Sequence, residues 1–294
     1  MKLKLFASPQ FGKVETRPAN LLPQTDGNLK LTESSFYKDR WLSIAPDKLE
    51  RYQSMFQWNP ASRVFYEAAK IRDGHIVGEL GCGPGHTAVE IARWVGAAGR
   101  VHALDINVDF IAQAKINARA AGLEDRITVQ SCDGCETLPL QDSSLDRITT
   151  RNTLIYVDDP SETLKEFKRV LKPGGLAHAI EGDWPMMVVE PISQADWVAV
   201  VEAAGHACRT PEIGRKLHGL FVRAGFSEVQ VQLITRADTE GRLLGMVKNM
   251  ANFARASGQL NENTLADIES RIDAALERKT YLVLAPQFVV TARA

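Results

Sequence analysis

Apolar positions along the chain alternate between short buried-strand runs and the three-to-four spacing of helices. The run His75-Ile76-Val77-Gly78-Glu79-Leu80 predicts a buried strand, and Thr87 to Trp94 beyond it has helical spacing, with Val89, Ile91, Ala92 and Val95 apolar. Val101-His102-Ala103-Leu104 predicts a second strand, Arg126 to Cys132 a third and Leu145 to Thr150 a fourth. Leu164, Phe167, Val170 and Leu171 then share one face of a helix that ends at Lys172-Pro173-Gly174-Gly175, where a fifth strand opens. After a helix from Gly214 to Ala224, Val229, Val231 and Leu233 alternate with polar residues, as in a strand with one exposed face. Two amphipathic helices follow, one carrying Leu243, Leu244, Val247, Met250 and Phe253 and the other Leu265, Ile268, Ile272 and Leu276. Phe288-Val289-Val290-Thr291 is the last strand. The pattern predicts an α/β fold, a doubly wound sheet with helices on both faces.

Outside this alternation the chain reads differently. Residues 1 to about 30 hold prolines, asparagines and glycine without periodicity and are expected to form an irregular arm. Residues 34 to 70 concentrate aromatic side chains: Phe36, Tyr37, Trp41, Tyr52, Phe56, Trp58, Phe65 and Tyr66. An insertion from about Trp184 to Thr210 carries Trp197, Val198, Val200 and Val201 on a helix-like stretch. The expected organisation is therefore an arm and helical lid over 1–70 and a core over 71–294, with insertions at about 184–210 and 239–280.

Composition narrows the partners. The formal net charge is −1 over 294 residues, and no arginine- or lysine-rich block occurs. Nucleic acid is disfavoured as a substrate, because neutralising phosphates needs a basic face. No apolar run is long enough to span a bilayer, and Met1 to Phe6 is too short an apolar stretch for a signal peptide. The expected setting is cytoplasmic, without a membrane partner, and the C-terminal helices leave a homodimer open.

The chemistry gathers where the first strand meets its helix. Gly81, Gly83 and Gly85 alternate in that turn, and glycine there allows positive φ and close approach of a ligand to the backbone. The spacing is G-x-G-x-G, unlike the G-x-G-x-x-G of dinucleotide sites. Glu79 lies two positions before the first glycine. This resembles motif I of the class I S-adenosylmethionine-dependent methyltransferases, (D/E)-x-G-x-G-x-G. The order of the later segments, Asp105 at the end of the second strand, Asp133-Gly134 before Leu138-Pro139, and Arg151-Asn152-Thr153-Leu154 after the fourth strand, resembles the branch containing the ubiquinone and menaquinone C-methyltransferases and natural-product enzymes.

The resemblance covers residues 70 to 184 and implies a Rossmann-like seven-stranded sheet with a helical N-terminal lid, binding S-adenosyl-L-methionine. It implies cofactor contacts from Glu79, Gly81, Gly83, Gly85, Asp105 with Ile106 beside it, Asp133, Gly134 and Asn152. Asp105 would accept both ribose hydroxyls, although an N-capping aspartate would look the same. The sequence departs from the family at Gly134, which occupies the register of the usual acid while Asp133 stands one position early; either Asp133 or a backbone group reaches the adenine. Tyr37, Trp41, Tyr52 and Phe56 are expected to line a lid over a small apolar or aromatic acceptor.

No catalytic base stands out; Glu181, Asp183 and His86 are candidates by position. Cys132-Asp133-Gly134-Cys135 has C-x-x-C spacing, but with only Cys82 and Cys208 besides it lacks the second pair of a structural zinc site, and the histidines show no metal spacing. No metal is expected. Two other functions remain open: a protein of this fold that holds the cofactor while steering a cyclisation, and a nicotinamide oxidoreductase, which the glycine spacing disfavours.

Overall fold

The computed structural model describes residues 41, 42, 44, 46–133, 137–205 and 207–294. Tyr37, Gly134, Cys135 and the arm over residues 1 to 30 lie outside the described residues.

A helix, α1 (Pro46–Met55), and a 3-10 helix (Pro60–Ala69) precede the core. The core then alternates β1 (Ile76–Leu80), α2 (His86–Trp94), β2 (Arg100–Asp105), α3 (Val108–Ala120), β3 (Ile127–Ser131), β4 (Leu145–Arg151), α4 (Pro160–Val170) and β5 (Leu171–Gly182). It continues through β6 (Val188–Glu190), α5 (Gln194–Ala203), α6 (Ile213–Arg223), β7 (Ser227–Ile234), β8 (Ala237–Asp238), α7 (Leu244–Ser257), α8 (Glu262–Glu277), β9 (Leu282–Leu284) and β10 (Gln287–Arg293).

The main sheet has seven strands in the order β3-β2-β1-β4-β5-β10-β7. The first five are parallel, and β10 runs antiparallel to both β5 and β7. The chain winds outward in one direction from β1 to β3 and in the other from β4, so the strand order reverses between β1 and β4. Ligands in such sheets sit at the carboxyl ends of the strands beside that reversal.

Each face is closed by apolar stripes. Val77, Ile91, Val95, Val101 and Ile111 pack α2 and α3 on one face. Leu80, Leu104, Ile148, Leu164, Phe167, Leu217 and Phe221 pack α4 and α6 on the other. The two insertions meet in a second core, where Trp197, Val200 and Val201 of α5 pack with Val247, Met250 and Ala254 of α7 and Leu265, Ile268 and Ile272 of α8. A three-stranded sheet, β6-β9-β8, completes it. A capping box between Ser193 and Asp196 starts α5.

One strand differs from expectation. On β7 the alternating residues Val231 and Leu233 are exposed rather than buried, at 43% and 54%. β7 is the outer strand of the sheet, paired only with β10, and of its apolar residues Val229 alone reaches the cluster around α6.

Candidate functional site

The turn joining β1 to α2 has three glycines with positive φ: 73° at Gly81, 53° at Gly83 and 79° at Gly85. The Gly81 and Cys82 amides donate to the Leu104 carbonyl at 2.7 and 3.0 Å, tying the turn to β2. The glycines serve two purposes. A Cβ at Gly81 would lie 2.0 Å from Thr153 Oγ1, and one at Gly85 would lie 2.7 Å from Ala114 Cβ, so protein packing alone demands glycine at both. At Gly83 the nearest atom to such a Cβ is Phe56 Cδ2, at 3.7 Å. Only this glycine presents bare backbone to the space between turn and lid.

Two acids frame that space. Asp105 ends β2 and is buried; its Oδ2 accepts from the Gly83 amide at 2.7 Å and its Oδ1 from the Asn107 amide at 2.9 Å. Burial pushes its pKa up, and the amides pull it back. Its two oxygens offer about four acceptor positions, so beside the Gly83, Asn107 and Ile106 amides the carboxylate has room for another donor, such as a hydroxyl. Glu79 is 4% exposed, and its Oε2 has no hydrogen-bond partner. Burial and then the Asp105 charge push its pKa up to about 8, against the opposing pull of Arg151. A buried, unpartnered carboxylate beside a second acid is destabilising until a cation joins it. Open backbone at Gly83, the free Glu79 oxygen and the Asp105 acceptors fit a ligand with hydroxyls and positive charge, and they do not fit a pyrophosphate.

The remaining expected cofactor contacts ring the same strand ends. Ile106 is half-buried directly after Asp105, and Asp133 is half-buried just beyond β3. The loop there is tied to the end of β2, where the Asp105 carbonyl accepts from the Cys132 amide at 2.8 Å. Asn152, at the end of β4, holds φ at 50° with its side chain exposed, and its amide donates to Ile180 O at 2.9 Å.

Aromatic side chains form a row across the mouth. Trp41 packs edge-on against Tyr156 at 5.0 Å and beside Tyr52 at 5.6 Å. Tyr52 stacks on Phe56 at 6.0 Å, and Phe56 meets Phe110 edge-on at 5.8 Å. The row runs from the loop after β4 to the glycine turn. Asn107 fixes its middle: Nδ2 donates to Trp41 O at 2.7 Å, while Oδ1 accepts from the Phe110 amide and caps α3.

The three candidate bases have different surroundings. Glu181 is fully buried; Oε1 accepts from the Thr153 and Leu154 amides at 2.9 and 2.8 Å, and Oε2 has no partner. Burial pushes its pKa up to about 8 against those amides. Asp183 is buried in a bidentate ion pair, accepting from Arg215 Nε at 2.7 Å and Nη2 at 2.5 Å, which secures the start of α6. Its carboxylate is committed to that pairing. His86 opens α2 half-buried, and burial lowers its pKa, so the ring is neutral and able to accept a proton near pH 7.

Tyr66, Arg151, Asn107 and Tyr156 belong to this region and were not singled out from sequence. Arg151 carried a signal, since a charged residue ending an apolar strand needs a partner. Tyr66 gave none beyond its place in the aromatic stretch, because only the fold sets the 3-10 helix against β1 and β4.

Comparison with known proteins agrees with this geometry. Residues 77–175 match a family of methyltransferase domains. An uncharacterized transposon protein of Streptomyces fradiae is 32% identical over 216 residues, covering 70% of this chain and 61% of that protein. A demethylmenaquinone methyltransferase of Lactobacillus johnsonii is 30% identical over 161 residues, covering 54% of this chain and 64% of the enzyme. The chain thus spans less than two thirds of the length of these relatives. Among solved structures, a phosphoethanolamine N-methyltransferase of Haemonchus contortus, in complex with phosphomonomethylethanolamine and S-adenosylhomocysteine, matches with a TM-score of 0.58 at 15% identity, covering 90% of this chain and 60% of that one. At that identity the likeness concerns the fold.

Proposed function

We propose, from a chain whose residues 77–175 match a family of methyltransferase domains, that the protein is a class I S-adenosylmethionine-dependent methyltransferase that transfers a methyl group to a small apolar or aromatic metabolite. The observation that carries this reading is the pair of buried acids, Glu79 and Asp105, on either side of the open backbone at Gly83. An electropositive, ribose-bearing ligand satisfies both acids at once.

When bound, the cofactor supplies a methyl group already activated on a sulfonium. What is left for the chain is alignment and exclusion of water. Glu79 faces the ammonium, Asp105 accepts the ribose hydroxyls, and Ile106 and Asp133 bound the adenine. Trp41, Tyr52 and Phe56 cover the acceptor with apolar area, and Tyr156 extends that wall. Asn152 and Glu181 orient the acceptor from the ends of β4 and β5. His86 is the candidate to take a proton from acceptors that lose one. Asp183 is left out of this role because Arg215 occupies its carboxylate.

The test is transfer of tritiated methyl from S-adenosylmethionine to a panel of phenols, hydroquinones and small amines. Label in an organic-extractable aromatic product is expected. Label only in small amines overturns the aromatic acceptor, and no label in any of them, with the cofactor bound, overturns transfer to this substrate class.

A further inference from the structure

The two edges of the main sheet are finished differently. On β3, at one edge, Ile127 and Val129 are buried in the cluster that α2 and α3 close. On β7, at the other, Val231 and Leu233 stand open on the face that α6 packs against, where Val229 alone is drawn into the core. The opposite face of β7 leaves Gln230 and Gln232 exposed, and Ile234 packs there beside Tyr66, Ile180 and Val289.

Nothing in the sequence of this edge protects it. Val229-Gln230-Val231-Gln232-Leu233-Ile234-Thr235 holds no charge and no proline, the residues with which free edges are ordinarily blunted. The irregularity in the β10–β7 ladder lies at its start, between Thr291 and Arg293, where Glu228 has a φ of 50°. From Gln230 to Ile234 the register is regular. The edge strands of the small sheet, β6 and β8, have only three and two residues. β7 is thus a long, regular edge whose outward amides and carbonyls are suited to a further strand.

Charge at the two ends of β7 selects that strand. Glu228, at its start, shares Arg293 Nε at 3.0 Å and keeps its side chain 62% exposed. Arg236, just past its end, is exposed, with Nη2 3.5 Å from Ala61 O. A parallel copy of the strand would bring like ends together, whereas an antiparallel copy brings unlike ends together at both. Centred on Gln232, antiparallel pairing sets Val231 opposite the partner's Leu233 and Glu228 opposite the partner's Arg236, each twice. Two open apolar pairs then become one patch across the seam. The C-terminal helices present no comparable surface: the apolar residues of α7 and α8 pack into the second core, and none of their large apolar side chains is exposed.

We infer that β7 pairs antiparallel with β7 of a second copy of this chain, continuing the seven-stranded sheet across a two-fold axis. Each copy uses its edge once, so association closes at the dimer. β10, β5 and β4 separate β7 from β1, which puts the seam away from the glycine turn. The inference is independent of what that turn binds.

Sedimentation equilibrium of the full chain at micromolar concentration tests it. A closed monomer–dimer equilibrium is expected; a monomer throughout, or open-ended assembly, overturns the inference. Leu233→Lys places a charge on the seam at a residue exposed in the single chain. It should weaken the dimer at least about tenfold with an unchanged circular dichroism spectrum. A dimer that tolerates Leu233→Lys is formed elsewhere and overturns the assignment. Charge reversal then reads the direction of pairing. Glu228→Lys and Arg236→Glu each set like charges opposite one another and should weaken the dimer about fivefold, while the double variant recovers it. Losses that simply add in the double variant overturn the antiparallel pairing.

Discussion

The Asp105 carboxylate accepts a hydrogen bond from the Gly83 amide at 2.7 Å, so the acid that ends β2 also fixes the glycine turn after β1. Under the proposed function, binding and local stability are thereby coupled at one residue. Asp105→Asn keeps the size but can turn a donor toward the Gly83 amide. A loss of about 1 kcal/mol in unfolding free energy is expected, the usual worth of one hydrogen bond, together with at least about tenfold weaker S-adenosylhomocysteine binding. Denaturant titration and calorimetry on the same sample separate the two effects. Unchanged affinity with lowered stability would leave Asp105 as a cap alone.

The three motif glycines should separate into two classes. Gly81→Ala drives a methyl into Thr153 and Gly85→Ala drives one into Ala114, both at positive φ, so each should cost roughly 2 kcal/mol or more. Gly83→Ala meets only the ring of Phe56 at 3.7 Å and should cost about 1 kcal/mol, mainly for its backbone. That variant should fold and yet lose cofactor affinity, because the methyl stands where ligand meets backbone. Melting temperatures rank the three, and a Gly83→Ala protein that binds normally contradicts this division.

Ligand-free stability should fall as pH rises from 4.5 to 8, because the two acids raised by burial outweigh the one histidine that burial lowers. Glu79 and Glu181 have folded pKa values raised to about 8 from an ordinary 4.5, both chiefly by burial. Their contribution is complete below pH 4.5 and is lost as pH rises through 8. Burial instead lowers His178 to about 4 from 6.5, so its contribution is complete above 6.5 and is lost as pH falls through 4. In Glu79→Gln that decline should flatten while cofactor affinity falls. Urea unfolding from pH 4 to 9 reads it; a decline as steep in Glu79→Gln as in wild type would mean that Glu79 titrates normally.

The aromatic row should not respond uniformly. Tyr52 is buried with Ile44 and Phe110, so Tyr52→Ala should lower the melting temperature as well as activity. Trp41→Ala should raise the acceptor KM more than the cofactor Kd, because its ring reaches Tyr156 on the proposed acceptor side. Phe56→Ala should raise both the acceptor KM and the cofactor Kd, since Phe56 belongs to the proposed acceptor wall and is also the neighbour of Gly83. Equal losses in KM and Kd for Trp41→Ala, with a lower melting temperature, would reduce that residue to core packing.

Local features of the sequence read through to the fold where the backbone or a strand end constrains the residue. The G-x-G-x-G turn, Asp105 and the Lys172-Pro173-Gly174-Gly175 break are such places, and β1 to β5 follow from them. Contacts distant in sequence were not legible. Asp183 and Arg215 lie 32 residues apart, and nothing in either segment marks them as a pair. Tyr66 meets Arg151 only because β4 lies beside β1 beneath the 3-10 helix. β6, β8 and β9 are two or three residues long, too short for alternation to register. For that reason the two insertions read as separate before their shared core was seen. Val231 and Leu233 misled in the other direction: alternation shows that a strand has two faces, but not that a neighbouring layer covers the apolar one.

The central claim is that the glycine turn between Glu79 and Asp105 receives S-adenosylmethionine rather than a dinucleotide. Calorimetric titration of the purified full chain with S-adenosylhomocysteine and, separately, with NAD tests it most directly. A single saturable site for S-adenosylhomocysteine and no binding of NAD is the result expected from the buried acids and the open backbone at Gly83. Binding of NAD without S-adenosylhomocysteine would contradict the account.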